Sequence, residues 1–181
     1  EDNGASLGVP VVTSSLESNV KPARSTVAEC YTQVIKDLNE AIGSGALSTE
    51  VTPGYVSLYA AKALLARVYL TKGDWANALS TAEDVINNSG RSLWTTNEYV
   101  KAWKKDDAAH AKEMLFELSI TNTSDWNDRE SISYMYAENR SDIPGYGDVV
   151  ASKQFVDLLA QDPKDVRADV FLAPSNDAAN K

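Results

Sequence analysis

The most informative run of the sequence is residues 60–75, which read AAKALLARVYLTKGDW. Its apolar residues, Leu65 and Val68 among them, recur at the spacing of one helix face. Gly73 predicts the end of that helix, because a residue without Cβ adopts the left-handed conformation at little cost. Asp74 predicts the start of the next helix, since its carboxylate accepts hydrogen bonds from first-turn amides. A turn this short makes the two helices antiparallel, so the run predicts a helical hairpin.

The spacing within this hairpin also resembles that of a tetratricopeptide repeat. Small and aromatic residues surround the glycine at the positions of the repeat, here Ala66, Tyr69, Gly73, Trp75 and Ala78. The alternative is a generic helical hairpin, and either kind needs neighbours, because one hairpin cannot bury both of its faces. We therefore expect a mostly α-helical fold of tetratricopeptide-like hairpins, with an irregular, loop-rich segment and at most one or two short strands.

Composition and charge argue against several classes of protein. With 181 residues, of which 43% are hydrophobic, the chain is long enough for one globular domain with a sizeable core. The net charge of −9 argues against nucleic-acid binding and against electrostatic docking on anionic lipid. The apolar runs are too short to cross a bilayer. Cys30 is the only cysteine, which excludes an internal disulfide, and we expect it to pack as a small apolar residue.

Turn and capping residues divide the chain into four parts. Residues 1–24 are rich in Gly, Pro, Ser and Thr and predict a loop. Residues 25–104 form the helical part, 105–150 a loop-rich segment proposed to hold the ligand, and 151–181 a terminal helix with a frayed tail. The expected helix caps are Thr26 with Glu29 as a capping box, Ser57, Thr95 or Thr96, and Ser152.

Two shorter segments have patterns of their own. Residues 113–120 alternate polar with apolar side chains, which predicts a short strand or an extended segment packed on one side. In the terminal helix, the spacing of Phe155, Leu158 and Leu159 predicts that all three face inward.

Six stretches form a recognisable series in chain order: residues 7–12 (LGVPVV), 24–31 (RSTVAECY), 37–42 (DLNEAI), 60–75, 113–117 (EMLFE) and 165–167 (DVR). Taken together, they resemble the SusD/RagB family of outer-membrane nutrient-capture lipoproteins. The resemblance implies a tetratricopeptide-type scaffold with a more irregular portion that carries the ligand site. Members of the family are more than twice this length, so the resemblance also implies an internal fragment of a longer chain.

The same resemblance implies a function. It implies non-catalytic binding of oligosaccharide or polysaccharide, or of peptide in some members, for delivery to a SusC-like TonB-dependent transporter. It also implies localisation at the cell surface of the outer membrane. Contact with the membrane would be made only through a lipidated cysteine, which this sequence does not include.

The irregular segment carries the candidate glycan-binding residues. A sugar ring has an apolar C–H face and a polar rim, which an aromatic platform flanked by amide and guanidinium donors matches. The candidates are Trp126, Asn127, Arg129, Tyr134, Tyr136 and Tyr146. If residues 134–136 are extended, the two tyrosines share a face. For Trp126 the alternatives are a partner interface or plain packing.

Other aromatic residues are weaker candidates. Trp94, Tyr99 and Trp103 follow the second helix of the hairpin, and the helical spacing of Tyr99 and Trp103 is typical of core residues. We therefore expect at least these two side chains to be part of the core.

The sequence offers no catalytic constellation and no cofactor motif, so we expect a non-enzyme that binds no cofactor and no metal. His110 is the only histidine and predicts a solvated loop residue. Oxygen ligands for calcium occur at Asp125, Asn127, Asp128 and Glu130, but this loop lacks the glycine of an EF-hand. An enzyme of glycan breakdown is the weakest alternative, since a carboxylate pair is recognised only by its separation in space.

A second hypothesis is an interaction scaffold, in which helical pairs expose a concave face to a protein or peptide. The long segment of residues 122–149 favours the glycan hypothesis, because a bare repeat scaffold has no reason to carry it.

Overall fold

The computed structural model describes residues 4–103, 112–118, 132–136, 145–147 and 149–171. Seven helices lie within these residues: α1 (Val27–Gly43), α2 (Leu58–Lys72), α3 (Trp75–Asn88), α4 (Thr96–Ala102), α5 (Ile132–Tyr136), α6 (Lys153–Leu159) and α7 (Ala168–Phe171). The described β pairing is one isolated antiparallel bridge between Leu7 and Thr26. The fold is therefore mostly α, as the sequence predicts. None of the described helices has the length and apolar content that crossing a membrane requires.

The chain divides into two compact units. The first comprises Glu1–Arg91 with Leu115–Glu117, and the second comprises Ser92–Met114 with Leu118–Lys181. Helices α1 to α3 belong to the first unit, and α4 to α7 belong to the second.

The predicted hairpin is the α2–α3 pair of the first unit. Gly73 follows α2 in the left-handed conformation, with φ 82° and ψ 15°. The carboxylate of Asp74 accepts a hydrogen bond from the amide of Asn77 at 3.3 Å and so caps α3. Ala66 and Ala78 are both buried, which is consistent with a close approach of the two backbones. These features confirm the predicted end of α2 and start of α3.

Helix α1 packs on α2 and begins at the predicted capping box. The hydroxyl of Thr26 accepts from the amide of Glu29 at 3.2 Å, and the Glu29 carboxylate accepts from the amide of Thr26 at 2.8 Å. The capping box therefore provides acceptors for the amides of both Thr26 and Glu29.

The N-terminal segment is fixed against the start of α1. The amide of Gly8 donates to the carbonyl of Ser25 at 2.7 Å, and the amide of Ser25 donates to the carbonyl of Val9 at 3.1 Å. Arg24 adds two hydrogen bonds of 2.6 Å to the carbonyls of Leu7 and Gly8. We call these five residues, Leu7, Gly8, Val9, Arg24 and Ser25, the N-terminal clamp.

Cys30 lies directly beneath this clamp. Its side chain is half-buried, and its Sγ donates to the carbonyl of Val9 at 3.4 Å. A Cβ placed on Gly8 would lie only 2.8 Å from that sulfur. Cys30 therefore packs against the backbone of the N-terminal segment.

The strand alternative for residues 113–120 is wrong for the part that the structure describes. Residues 113–118 form no strand there, because their carbonyls bond to a side chain and a turn. Leu115 accepts from the Ser57 hydroxyl at 3.0 Å, and Glu117 accepts from the amide of Gly54 at 2.9 Å. Phe116 and Leu118 are exposed whereas Leu115 and Glu117 are partly buried, so the covered side is not the one that the alternation predicts. Residues 119 and 120 lie outside the described residues.

One face of the α2–α3 hairpin is an open apolar groove of about 520 Å³. Its floor is formed by alanines, among them Ala66 and Ala78, and its walls by Leu70, Leu79 and Ile86. We call this surface the hairpin groove. It agrees with the expectation that a single hairpin leaves one of its faces uncovered.

In the second unit, the caps of α4 and α6 are those predicted. Thr95, rather than Thr96, precedes α4, and Ser152 caps α6 by accepting from the amide of Phe155 at 3.2 Å. Leu159 is buried as expected. Leu158 is exposed, which corrects its predicted inward orientation, because only one of these adjacent side chains can point into the core from so short a helix.

Candidate functional site

Three of the six predicted glycan-binding residues are described by the structure. These are Tyr134, Tyr136 and Tyr146, and all three belong to the second unit. The other three, Trp126, Asn127 and Arg129, lie outside the described residues. So do the remaining calcium candidates Asp125, Asp128 and Glu130, and also His110.

Tyr134 and Tyr146 form an aromatic pair. Their ring centroids lie 4.9 Å apart with an interplanar angle of 79°, which is an edge-to-face arrangement. The amide of Tyr146 also donates to the carbonyl of Tyr134 at 2.9 Å. The structure thus brings together two of the predicted residues that are twelve positions apart in the chain. We call them the tyrosine pair.

Glycines on both sides position Tyr146. Gly145, which precedes it, is buried. Gly147 has φ 66°, a left-handed conformation that glycine adopts without strain. Half of the Tyr146 surface (50%) remains exposed to solvent.

Tyr136 lies on a different face of its helix from Tyr134. Residues 132–136 are helical, and on a helix two residues that are two positions apart are separated by about 200° of rotation. The shared face that we expected depended on an extended segment, and that condition is not met. Tyr136 is 56% exposed but does not extend the tyrosine pair on the same side of α5.

The tyrosine pair leaves half of Tyr146 in contact with solvent. An exposed tyrosine provides a flat apolar surface and one hydroxyl that both donates and accepts hydrogen bonds. Within the described ranges, no three His, Cys, Asp or Glu side chains are grouped so that they could hold a metal ion.

A second group of aromatic rings is formed by Trp94, Tyr99 and Trp103. The centroid distances are 6.1 Å for Trp94–Tyr99, 5.8 Å for Trp94–Trp103 and 6.2 Å for Tyr99–Trp103, all edge-to-face. Trp103 is 51% exposed, so its assignment to the core is wrong. Helical spacing correctly indicated that Tyr99 and Trp103 share a face, but it does not reveal whether anything covers that face. We call this group the ring cluster.

Charged side chains fix the segments that carry the ring cluster. The carboxylate of Glu98 accepts from the amide of Thr95 at 2.8 Å and from the ammonium of Lys112 at 2.7 Å. These hydrogen bonds, with that from Lys112 the strongest, lower the pKa of Glu98 to about 2. The carboxylate of Glu113 accepts from the amide of Trp94 at 2.8 Å. The residues around Trp94 are therefore joined to those around Lys112.

A similar arrangement closes the turn after α6. The guanidinium of Arg167 donates to both carboxylate oxygens of Asp165, and this lowers the pKa of Asp165 to about 2. The contact joins two residues of a single turn within the second unit.

Comparisons with known proteins identify relatives of the chain. The model of a SusD-like family, described as "starch-binding associating with outer membrane", matches residues 4–70. A SusD-like protein of Bacteroides ovatus is 31% identical over 104 residues, which are 51% of this chain and 18% of that protein.

Two solved structures resemble the chain over most of its length. A SusD superfamily protein of Bacteroides thetaiotaomicron is 39% identical with a TM-score of 0.78, covering 97% of this chain and 38% of that one. A protein of Bacteroides vulgatus, provisionally named for sugar binding, is 44% identical with a TM-score of 0.77, covering 92% of this chain and 36% of that one. The chain thus spans less than two fifths of the length of each of these relatives. Taken together, the comparisons identify this chain as SusD-like in sequence and in fold.

Proposed function

We propose that this chain is part of a non-catalytic protein that binds oligosaccharide or polysaccharide at the cell surface. The bound glycan would then be delivered to a SusC-like TonB-dependent transporter in the outer membrane. The observation that carries the proposal is the tyrosine pair with its half-exposed Tyr146, found in a chain whose matching family is described as starch-binding.

The geometry of the tyrosine pair supports sugar binding. Edge-to-face packing against Tyr134 limits the freedom of the Tyr146 ring before any ligand arrives, which lowers the entropic cost of stacking. The Tyr146 ring is half exposed, so a sugar could reach it without rearrangement of the pair. Trp126 remains a proposed further platform for the face of the sugar, and Asn127 and Arg129 remain proposed partners that would contact its rim.

Charge favours an uncharged glycan. Residues 105–150 contain ten acidic and four basic side chains, a net charge of −6 in a chain of −9. A uronate or sulfated polysaccharide would be repelled by this segment, whereas a neutral one would not. The proposed ligand is therefore a neutral oligosaccharide or polysaccharide.

A second candidate function is that of an interaction scaffold or a peptide-capture protein. The hairpin groove favours it, because apolar surface of this kind is typical of sites that bind another polypeptide. The two functions are compatible, since the hairpin groove belongs to the first unit and the tyrosine pair to the second.

The test is calorimetric titration of the chain with soluble starch, xylan and glucomannan, and with a set of unrelated peptides. We expect saturable binding of a neutral polysaccharide, and we expect Tyr146→Ala to raise the Kd about tenfold, or about 1.4 kcal/mol. Trp126→Ala should weaken binding as well. The matched control is Tyr55→Ala, because Tyr55 is an exposed tyrosine of the first unit.

The outcomes separate the hypotheses. Unchanged polysaccharide binding by Tyr146→Ala would keep the function but remove the tyrosine pair as its site. Binding of peptides together with no binding of any polysaccharide would replace glycan capture with the second candidate.

A further inference from the structure

We propose that the ring cluster of Trp94, Tyr99 and Trp103 is a second glycan platform, with Trp103 as the residue that stacks on the sugar. This inference rests on the proposed function and extends it, because none of these residues belongs to the predicted site. The ligand is an uncharged sugar unit of the same polysaccharide that the tyrosine pair binds.

The ring cluster is rigid before a ligand arrives. Each of its rings contacts both of the others edge-to-face, with centroids 5.8 to 6.2 Å apart. Ala102, next to Trp103, is completely buried and anchors the end of α4. An aromatic side chain fixed in this way loses little conformational entropy when a sugar stacks on it.

The cluster is also accessible. Trp103 leaves 51% of its surface in solvent although it packs against two other rings. Tryptophan has the largest apolar face of any side chain, and its indole N–H is a hydrogen-bond donor. A half-exposed indole at the margin of a fixed cluster therefore offers both a stacking surface and a polar group to a sugar ring.

Charged groups beside the ring cluster could bond to sugar hydroxyls. Glu98 precedes Tyr99 directly, and its ion pair with Lys112 leaves one third of each side chain exposed. Glu113 bonds to the backbone of Trp94. Carboxylates accept and ammonium groups donate, so the surroundings of the cluster match the alternating donors and acceptors of a sugar rim.

The charge of the chain restricts the ligand class. The whole chain carries a net charge of −9, so it would repel an anionic sugar. This repulsion would oppose any free energy that such a sugar gained by stacking. Stacking and hydroxyl hydrogen bonds are available to an uncharged sugar without that repulsion.

Oxidation of the native chain by N-bromosuccinimide, read by peptide mass spectrometry, tests the proposal without any substitution. The probe is the neutral polysaccharide that binds in the titrations described above. We expect a saturating concentration to slow oxidation of Trp103 at least about threefold and to leave Trp75 unchanged. Trp75 is the internal control, because it is even more exposed but belongs to the first unit. Equal oxidation of Trp103 with and without the polysaccharide would overturn the proposal.

Substitutions give a second readout. We expect Trp103→Ala to raise the Kd for the polysaccharide about tenfold. Trp103→Phe should retain most of the binding, and Trp75→Ala should leave this Kd unchanged. Circular dichroism establishes that each variant is folded, and if Trp103→Ala is not, the oxidation experiment decides.

The two proposals fail in different ways. In the first case the polysaccharide binds and Tyr146→Ala weakens that binding, but Trp103 is not protected from oxidation and Trp103→Ala leaves the Kd unchanged. The ring cluster is then not a platform, whereas the proposal of glycan capture stands. If no polysaccharide binds at all, the proposed function fails, and this inference fails with it.

Discussion

At the scale of single residues, Glu98 joins two segments that are distant in sequence. Its carboxylate accepts from the amide and the hydroxyl of Thr95, both at 2.8 Å, and from the ammonium of Lys112 at 2.7 Å. Thr95 precedes α4, whereas Lys112 lies fourteen residues beyond Glu98. All three hydrogen bonds are stronger to the ionised carboxylate, and the ion pair with Lys112 exists only in that form, so the link depends on pH.

The first prediction concerns that pH dependence. The folded-state pKa of Glu98 is lowered from 4.5 to about 2, so its stabilising contribution is complete above pH 4.5. It is lost as the pH falls through about 2. We expect Glu98→Gln to lower the urea midpoint at neutral pH, and we expect the difference from the wild type to close near pH 2. A difference that stays constant with pH would show that ionisation of Glu98 has no part in it.

The second prediction concerns Gly8. Gly8→Ala should destabilise the fold by about 1–3 kcal/mol, because the added Cβ would lie 2.8 Å from Sγ of Cys30. Urea unfolding measures this change, and Cys30→Ala in the same chain should restore part of the loss, because it removes the clashing sulfur. Gly43→Ala is the matched control: a Cβ there meets nothing within 4 Å, so we expect no loss of stability.

At the scale of elements, the α2–α3 hairpin has one packed side and one open side. Leu65 is only 4% exposed, whereas Leu79 and Ile86, on the wall of the hairpin groove, are 61% and 71% exposed. The two sides are similar in composition, so the difference lies in what covers them. Apolar character alone does not say which residues contribute to stability.

The third prediction follows from this contrast. Leu65→Ala should cost about 2–5 kcal/mol in the free energy of unfolding. Leu79→Glu and Ile86→Lys, each made separately, should change it by no more than about 0.5 kcal/mol. Urea unfolding of the three variants at neutral pH provides the comparison. A large loss in either groove variant would mean that another part of the chain covers the hairpin groove in solution.

The elements also show how far sequence reasoning extends. The hairpin and the caps at Thr26, Ser57 and Asp74 could be predicted, because each depends on residues within one or two helical turns. The strand alternative at residues 113–120 failed because the partners of its backbone, Ser57 and Gly54, are about sixty residues away.

The candidate site was harder to predict for the same reason. Residue type and composition indicate Tyr134 and Tyr146 separately, but their ring contact joins residues twelve positions apart, which sequence spacing does not encode. Helical periodicity predicts that Trp103 belongs to the core, but Trp103 is exposed. Periodicity indicates which residues share a helix face, and it does not indicate whether other residues cover that face.

At the scale of the whole molecule, charge determines which ligands can approach. The net charge of −9 is distributed unevenly, with −6 in residues 105–150. Long-range repulsion of this kind is screened by salt, whereas stacking and hydrogen bonding at short range are not.

The fourth prediction uses that difference. Binding of a neutral polysaccharide should have the same Kd in about 0.05 M and about 0.5 M sodium chloride, because no charge is neutralised. Polygalacturonate, an anionic polysaccharide, should not bind measurably at the lower salt concentration. Calorimetry at the two ionic strengths measures both. Tight binding of polygalacturonate that weakens with added salt would contradict the assignment of an uncharged ligand.

The N-terminal clamp makes residues 10–23 a closed loop whose two ends are already joined. The entropic cost of closing such a loop grows only with the logarithm of its length. Doubling the length of the loop would therefore lower the free energy of unfolding by only about 0.6 kcal/mol. A peptide inserted between Ser14 and Ser15, both exposed, would therefore leave α1 and the hairpin undisturbed. The clamp thus creates an insertion point for an epitope or a fluorescent label.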